Sequence, residues 1–187
     1  FIALVHMALW SYVLFALLFS SVDEWTDVVW VLPSMAIMTW LYTGLFITAH
    51  DAMHGSLSPR HPRLNHGIGL VCTTIYAALP YKTLRAAHHR HHLHVGVDGD
   101  PDLVTSAETS LFFEFRRFFL SYLTIRSVGS MVVMSWVLLF VGVRLENMVL
   151  FWLIPSLSSA VQLYVVGTWL PHRPGPDLCA THRARGL

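Results

Sequence analysis

The sequence predicts an all-α integral membrane protein with about four transmembrane helices and one shorter apolar segment that is re-entrant or interfacial. Of its 187 residues, 55% are hydrophobic and only 12% are charged, whereas about a quarter are charged in a typical soluble domain. Four stretches approach the length of about 20 apolar residues that a helix needs to cross a bilayer. Histidine, with twelve copies, equals lysine and arginine together, which makes it the candidate functional residue.

The predicted spans lie at roughly Phe1–Ser20, Val29–Ala49, Val128–Val143 and Met148–Leu170. The first has no basic region and no clear small-residue cleavage site, which favours a membrane span over a secretory signal. Pro33 and Pro155 fall inside the second and fourth spans. Neighbouring membrane helices can satisfy the backbone groups that proline frees, so both spans stand.

A fifth apolar run, Gly67–Pro80, has only fourteen residues and is predicted to turn back inside the membrane. Charge supports this, because Lys and Arg accumulate in cytoplasmic loops. The loop Ser21–Asp27 has three carboxylates and no basic residue, whereas His50–Arg126 and Pro171–Leu187 together hold eleven of the twelve basic residues. If the short run crossed the membrane, this bias would break. We therefore expect the histidines on both sides of it to share the cytoplasmic face.

Composition also excludes some classes of protein. A net charge of +1, without clustered Lys and Arg, argues against a nucleic-acid partner. Cys72 and Cys179 lie far apart without a C-x-x-C pattern, so neither a disulfide framework nor a thiolate metal site is predicted. No repeat or long linker is visible, which indicates one domain over residues 1–187. We expect that domain to be incomplete at both ends, since no initiator Met is present and the chain stops after a basic loop.

Seven of the twelve histidines fall in two short clusters. His50 and His54 are four residues apart directly after the second span, and residues at this spacing share a helical face with Cβ atoms about 5–6 Å apart. In the second cluster the three histidines at spacings of three and four share a face, and His89 points away; the three are His88, His91 and His92. Two faces therefore offer five imidazoles.

A solvated, pH-sensitive basic loop is the alternative to a metal site. Gathered imidazoles repel one another when protonated and waste hydrogen-bonding capacity when neutral, unless a cation takes their lone pairs. Zinc enzymes use about three protein ligands, often with Cys or a carboxylate, so five histidines without a nearby cysteine fit two metal ions better than one. Imidazole also suits copper and nickel, and the residues alone leave the metal's identity open.

Three strings resemble the membrane fatty-acid desaturase and hydroxylase superfamily, and specifically its beta-carotene ketolases (4-oxygenases). The H-x-x-x-H pattern paired with H-x-x-H-H behind apolar spans carries the superfamily resemblance, which covers nearly the whole chain. The strings are Ala49-His50-Asp51-Ala52-Met53-His54-Gly55; His88-His89-Arg90-His91-His92 with Gly96 and Asp100-Pro101-Asp102; and Gly167-Thr168-Trp169-Leu170-Pro171-His172-Arg173 followed by His182-Arg183-Ala184-Arg185.

The resemblance implies a non-haem di-iron oxygenase. It would oxidise the C4 methylene of the beta-ionone ring to a ketone, on the route to echinenone, canthaxanthin or astaxanthin. Two iron ions held by histidines, dioxygen as co-substrate and an electron donor such as ferredoxin are part of that expectation. The lipophilic carotenoid would approach from the bilayer, and no catalytic residue is predicted beyond the metal ligands.

The resemblance assigns metal-ligand roles to His50, His54, His88, His91, His92 and His172. For His172, a structural cap or a lipid-headgroup contact is an equal alternative. Candidates for orienting the ligands by hydrogen bonds are Asp51, His89, Asp102 and His182. The superfamily has a further H-x-x-H-H box, which this sequence lacks, so we expect the metal centre of these residues alone to be incomplete and inactive.

Other functions remain as alternatives. A carotenoid hydroxylase or a fatty-acid desaturase would use a similar histidine cage, and the extended strings around each cluster favour the ketolase. From another class, a membrane cytochrome needs paired histidines within facing spans, and a transporter places its polar ligands near the bilayer midplane. Here the histidines gather at helix ends, which disfavours both.

Overall fold

The computed structural model describes residues 1–95, 99–101 and 110–172, and within these ranges the chain is helical with no strand. The predicted all-α fold is thereby confirmed. A continuous helix at the end of the described chain has two π-helical stretches, Met148–Leu153 and Val165–Trp169, and a last turn, Leu170–His172. The helices are α1 (Ile2–Leu18), α2 (Val28–Met53), α3 (Pro62–Ala77), α4 (Tyr81–Leu93), α5 (Leu111–Tyr122), α6 (Ile125–Phe140) and α7 (Leu145–Trp169).

Two helices are long and apolar enough to cross a membrane, namely α2 with its preceding turn and α7. Helices α5 and α6 pass the same test only as a pair, bent by 85° at the break between them. The described chain therefore has two or at most three candidate spans, where about four were predicted. Apolar α1 has only 17 residues, and α6 ends at Phe140, shortly before Gly142 turns the chain with a φ of +92°.

Helix α5 was not predicted, and its residues fall within the basic segment His50–Arg126. Its charged residues made an apolar surface hard to recognise in the sequence. One of them, Glu114, is buried in the structure and is ion-paired with Arg117 at 2.7 Å. Phe115 and Phe118 pack against Tyr164 of α7, with ring centroids 5.5 and 4.9 Å apart. This packing gives α5 a place against the membrane helices.

The core forms where α1, α3 and α7 meet α2. Tyr42 of α2 is fully buried and makes edge-to-face contacts with Trp10 and Tyr76, at centroid distances of 5.4 and 5.5 Å. Such aromatic pairs add about 0.5–1.5 kcal/mol beyond the area they bury. The Tyr76 hydroxyl also hydrogen-bonds to the Ser159 hydroxyl at 3.2 Å, which ties α3 to α7.

Helix α3 runs antiparallel to α2, and α4 returns beside it. Asn65 near the start of α3 donates to the Ala52 carbonyl at 2.6 Å, whereas Tyr76 near its end packs on Tyr42. The chain turns at Ala78, which has a left-handed φ of +51°. Helix α4 then leads back toward the end of α2, which brings the histidines of α2 and α4 together.

A glycine allows this close approach. A Cβ atom on Gly69 of α3 would collide with the Tyr81 ring of α4 and with the Ala52 side chain of α2. The three helices therefore meet at a position that only glycine fits. The Tyr81 hydroxyl lies 3.1 Å from Nδ1 of His66, which further joins α3 to α4.

Candidate metal centre

Four imidazoles from α2 and α4 form one group, named here the histidine cluster: His50, His54, His88 and His92. One ring nitrogen from each of His50, His54 and His88 lies within 4.8 Å of the others. Nε2 of His88 is 2.8 Å from Nε2 of His54 and 3.1 Å from Nε2 of His92. His88 is thus the residue on which the cluster converges.

Helical spacing supplies half of this arrangement and the α3 turn supplies the other half. His50 and His54 share one face at the end of α2, with ring centroids 4.7 Å apart, and His88 and His92 share one face of α4 at 4.5 Å. The two faces meet because α4 returns to the end of α2, and the His50 and His88 rings are 4.5 Å apart. Neither helix alone offers more than two of these four rings.

The cluster favours neutral imidazoles. Burial lowers the pKa of His88 to about 3, helped by the repulsion that a charged His88 would meet from His50, His92, His54 and His91. Burial and the neighbouring histidines also lower the pKa of His92. From about pH 3 up to the ordinary histidine pKa of 6.5, His88 therefore stays neutral where an exposed histidine would be charged. A metal ligand needs this free lone pair, and an all-imidazole donor set fits a divalent transition metal.

His91 lies beside the cluster and contacts a buried carboxylate. Its Nδ1 is 2.8 Å from Oδ1 of Asp100, whose side chain is fully buried. The His91 ring is 5.5 Å from that of His92 and 6.4 Å from that of His88. A carboxylate that accepts one ring N–H fixes the tautomer and leaves the other nitrogen for a metal, so the contact is compatible with the predicted ligand role of His91.

The carboxylates predicted to orient the ligands are Asp51 and Asp102, and Asp100 was not among them. In the structure Asp100 is buried and contacts His91, whereas Asp102 lies outside the described residues. The sequence signal was weak, because Asp100 follows His91 by nine residues in a turn-forming stretch without helical periodicity. Its burial depends on a tertiary contact that spacing does not show.

The remaining predicted site residues have different environments. Oδ1 of Asp51 is 3.6 Å from Nδ1 of His50, which is beyond hydrogen-bond distance. Nε2 of His89 lies 2.9 Å from the Met53 carbonyl and ties α4 to the end of α2, away from the cluster. His172 falls in the last described turn, where its side chain is not described, and His182 lies outside the described residues. Their roles stay predictions.

Replacing Asp100 by Asn should weaken metal binding by the full-length protein about 10- to 100-fold, the usual cost of losing a carboxylate partner of a metal-ligating histidine. The amide keeps the size of the side chain and removes the charge that orients His91. Competition with a chelator, measured on purified protein in detergent, gives the affinity. Asp51→Asn is the comparison, and a larger loss there than at Asp100 would contradict the role of Asp100.

An apolar space, named here the inner cavity, opens beside the cluster. Its volume is about 490 Å³, within the range of about 300–1,000 Å³ for ligand sites. Helices α2, α3, α4, α5, α6 and α7 all contribute to the wall. The wall is mainly apolar, except where it carries four histidines: His50, His88, His91 and His92.

A second cavity, of about 170 Å³, touches His54 and His89 and is more polar. Ser58, His66 and Arg85 also line it. Met53 borders both cavities. The histidine cluster therefore has an apolar cavity on one side and a smaller, more polar one on another.

The family model for fatty acid desaturases matches residues 28–133. This range covers more than half of the 187 residues and contains all four residues of the histidine cluster and His91. The chain belongs to the fatty acid desaturase family. Membership and the apolar helices α2 and α7 together support a membrane protein.

Curated relatives of this desaturase-family chain are carotenoid ketolases. The beta-carotene ketolase of Paracoccus sp. (strain PC1) is 39% identical over 143 residues, 76% of this chain and 58% of the relative. Beta-carotene 4-ketolase 3 of Haematococcus lacustris is 37% identical over 145 residues, 77% of this chain and 45% of the relative. The zeaxanthin 4-ketolase of Chlamydomonas reinhardtii is 39% identical over 138 residues, 73% of this chain and 31% of the relative.

These matches confirm the resemblance to beta-carotene ketolases that the three strings indicated. The chain spans little more than half the length of the Paracoccus relative, and less of the two algal ones. No solved structure matches the chain significantly.

Proposed function

We propose that the full-length protein is a carotenoid 4-ketolase, which oxidises the C4 methylene of a beta-ionone ring to a ketone with dioxygen. The observation that carries the proposal is that three histidines of the cluster, His50, His88 and His92, lie on the wall of an apolar cavity of about 490 Å³. Such a cavity suits a hydrocarbon ring, and its histidines suit a redox metal. Relatives named as beta-carotene and zeaxanthin ketolases support the choice of substrate.

Iron is the proposed metal, because the desaturase family is generally iron-dependent. The residues that would hold it are the four of the histidine cluster together with His91, and a second iron ion and His172 remain part of the proposal. When bound, iron would supply the dioxygen and electron chemistry that no amino-acid side chain provides.

The protein's own part is positioning and water exclusion. The apolar wall would hold the ring with C4 toward the histidines, where the allylic C–H bonds are the weakest on the ring. Each round consumes O2, two electrons and two protons, and yields a C4 hydroxyl and water. A second round at the same carbon gives a geminal diol, which loses water to leave the ketone. Protons would enter through the polar pocket beside His54. A donor such as ferredoxin would supply the electrons.

We propose that the cluster faces the cytoplasm and that the carotenoid enters from the bilayer. Arg60, Arg63 and Arg90 are exposed near the histidine-bearing ends of the helices. Arg144, the basic residue that the sequence places on the other face, is paired with Asp23 at 2.5 Å and with Glu146. Among the described residues Arg60, Arg63 and Arg90 have no ion pair, and a concentration of basic residues beside the cluster is what the positive-inside rule describes for cytoplasmic surfaces.

The test is conversion of pigment by membranes that contain the full-length protein. With iron, dioxygen, a reductant and beta-carotene, we expect echinenone or canthaxanthin. Unchanged pigment with iron loaded would refute the proposal, a ring hydroxyl as the end product would indicate a hydroxylase, and desaturated lipid would indicate a desaturase. A haem Soret band in the purified protein would instead favour the cytochrome.

A further inference from the structure

Two residues on the wall of the inner cavity, Tyr76 and Ser156, use their hydroxyls in hydrogen bonds to backbone carbonyls. The Tyr76 hydroxyl donates to the Ser156 carbonyl at 3.1 Å, and the Ser156 hydroxyl donates to the Leu153 carbonyl at 2.9 Å. Tyr122 and Tyr164 contact the Phe118 ring, at centroid distances of 5.1 and 4.9 Å. Thr168 also lines the cavity and is only 9% exposed, and its hydroxyl has no hydrogen-bond partner among the described residues.

Backbone geometry explains why this threonine differs from others in the chain. In ordinary helix, Thr39, Thr43, Thr48 and Thr74 each donate to the carbonyl four residues earlier, at 2.7–2.9 Å. Thr168 lies in the π-helical stretch Val165–Trp169, in which the backbone pairs with a residue five positions away. Its hydroxyl makes no such bond, and π-helical turns are frequent at functional sites.

We propose that Thr168 is a specificity-determining residue that hydrogen-bonds to a hydroxyl already present on the substrate's end ring. The inference rests on the proposed ketolase function. Zeaxanthin differs from beta-carotene by a hydroxyl at C3 of each ring, and C3 is bonded to C4. A ring held in the inner cavity with C4 toward the histidines would bring C3 to the wall of the same cavity, which Thr168 lines with its unpartnered hydroxyl.

Energetics favour this pairing. A hydroxyl in an apolar space without a partner carries a desolvation cost, which a ligand hydroxyl of matching position removes. Binding of a hydroxylated ring satisfies Thr168 and the ring hydroxyl together, whereas a hydrocarbon ring leaves Thr168 unpaired. Thr168 would thereby shift the preference of the enzyme toward zeaxanthin-type rings.

The experiment compares full-length wild type with Thr168→Val, which keeps the shape and removes the hydroxyl, and Thr168→Ser, which keeps the hydroxyl. Membranes receive equal amounts of beta-carotene and zeaxanthin, and initial rates of ketone formation give the ratio of the two kcat/KM values. The zeaxanthin-to-beta-carotene ratio should fall about five- to tenfold in Thr168→Val, the usual weight of one hydrogen bond. Thr168→Ser should stay near wild type. Thr74→Val is the matched control, because Thr74 is exposed and bonds to Leu70.

An unchanged or increased ratio in Thr168→Val would overturn the inference. An equal loss of rate with both substrates would overturn it as well, since that result indicates a structural role. So would a Thr168→Ser variant whose ratio falls as far as that of Thr168→Val. Failure of the proposed function is distinct, because wild-type membranes would then form ketone from neither substrate.

Discussion

Replacing His88 by Ala should remove the bound metal and lower ketone formation by at least about a hundredfold, more than the loss of an outer hydrogen-bond partner costs. His88 is the residue that joins the two helices of the site. Its ring lies 4.5 Å from that of His50, 4.7 Å from that of His54 and 4.5 Å from that of His92. Metal analysis of the purified full-length protein and pigment analysis of the same membranes measure the two effects.

His94→Ala is the matched control for His88→Ala. His94 also lies at the end of α4, but it is exposed and its Nδ1 lies 3.1 Å from the Arg90 carbonyl rather than near another imidazole of the cluster. Metal content and product should stay near wild type in this variant. Full metal occupancy in His88→Ala would show that the cluster is not the metal site.

Filling the inner cavity should stop catalysis without removing the metal. Ala160 of α7 lines the cavity, and Ala160→Phe places a ring where the substrate ring is proposed to lie. Because misplacement of a reacting group by about 1 Å costs on the order of a hundredfold in rate, we expect a loss of at least that order. Ketone formation and iron content, measured together, separate a blocked cavity from a damaged metal site.

Val161→Phe serves as the comparison, since Val161 follows Ala160 on the same helix, is 41% exposed and points to the outside. It should retain most of the activity. Equal activity of the two variants would contradict the placement of the substrate in this cavity. Loss of iron in Ala160→Phe alone would instead show that the helix had moved the histidines.

The prediction of two histidine faces depended on local spacing. It agrees with the structure for the pairs whose position depends only on the geometry of their own helix. His50 and His54 lie together, and so do His88 and His92. His91 has the spacing to join that face of α4, but its Nδ1 contacts Asp100. The carboxylate comes from a turn nine residues later, and helical periodicity carries no information about how that turn folds back.

The number of spans likewise depended partly on local composition and partly on tertiary contacts. Composition predicted α2 and α7, because each has an apolar stretch long enough to cross a bilayer. Of the other two predicted spans, α1 has only 17 residues, and α6 passes the test of length and composition only together with α5, a helix that was not predicted. Glu114 of α5 is buried and paired with the exposed Arg117 one turn away, and the packing of α5 on Tyr164 of α7 is a tertiary contact that hydropathy does not show.

The sequence by itself determined an apolar, all-helical chain with paired imidazoles at helix ends, because composition and spacing of three or four residues act through local interactions. Only the tertiary structure decided that α3 turns back and brings both pairs to one point, that Asp100 is buried against His91, and that a cavity opens beside them. These features join residues that are far apart in sequence, and their free energy comes from burial and packing that no local pattern encodes.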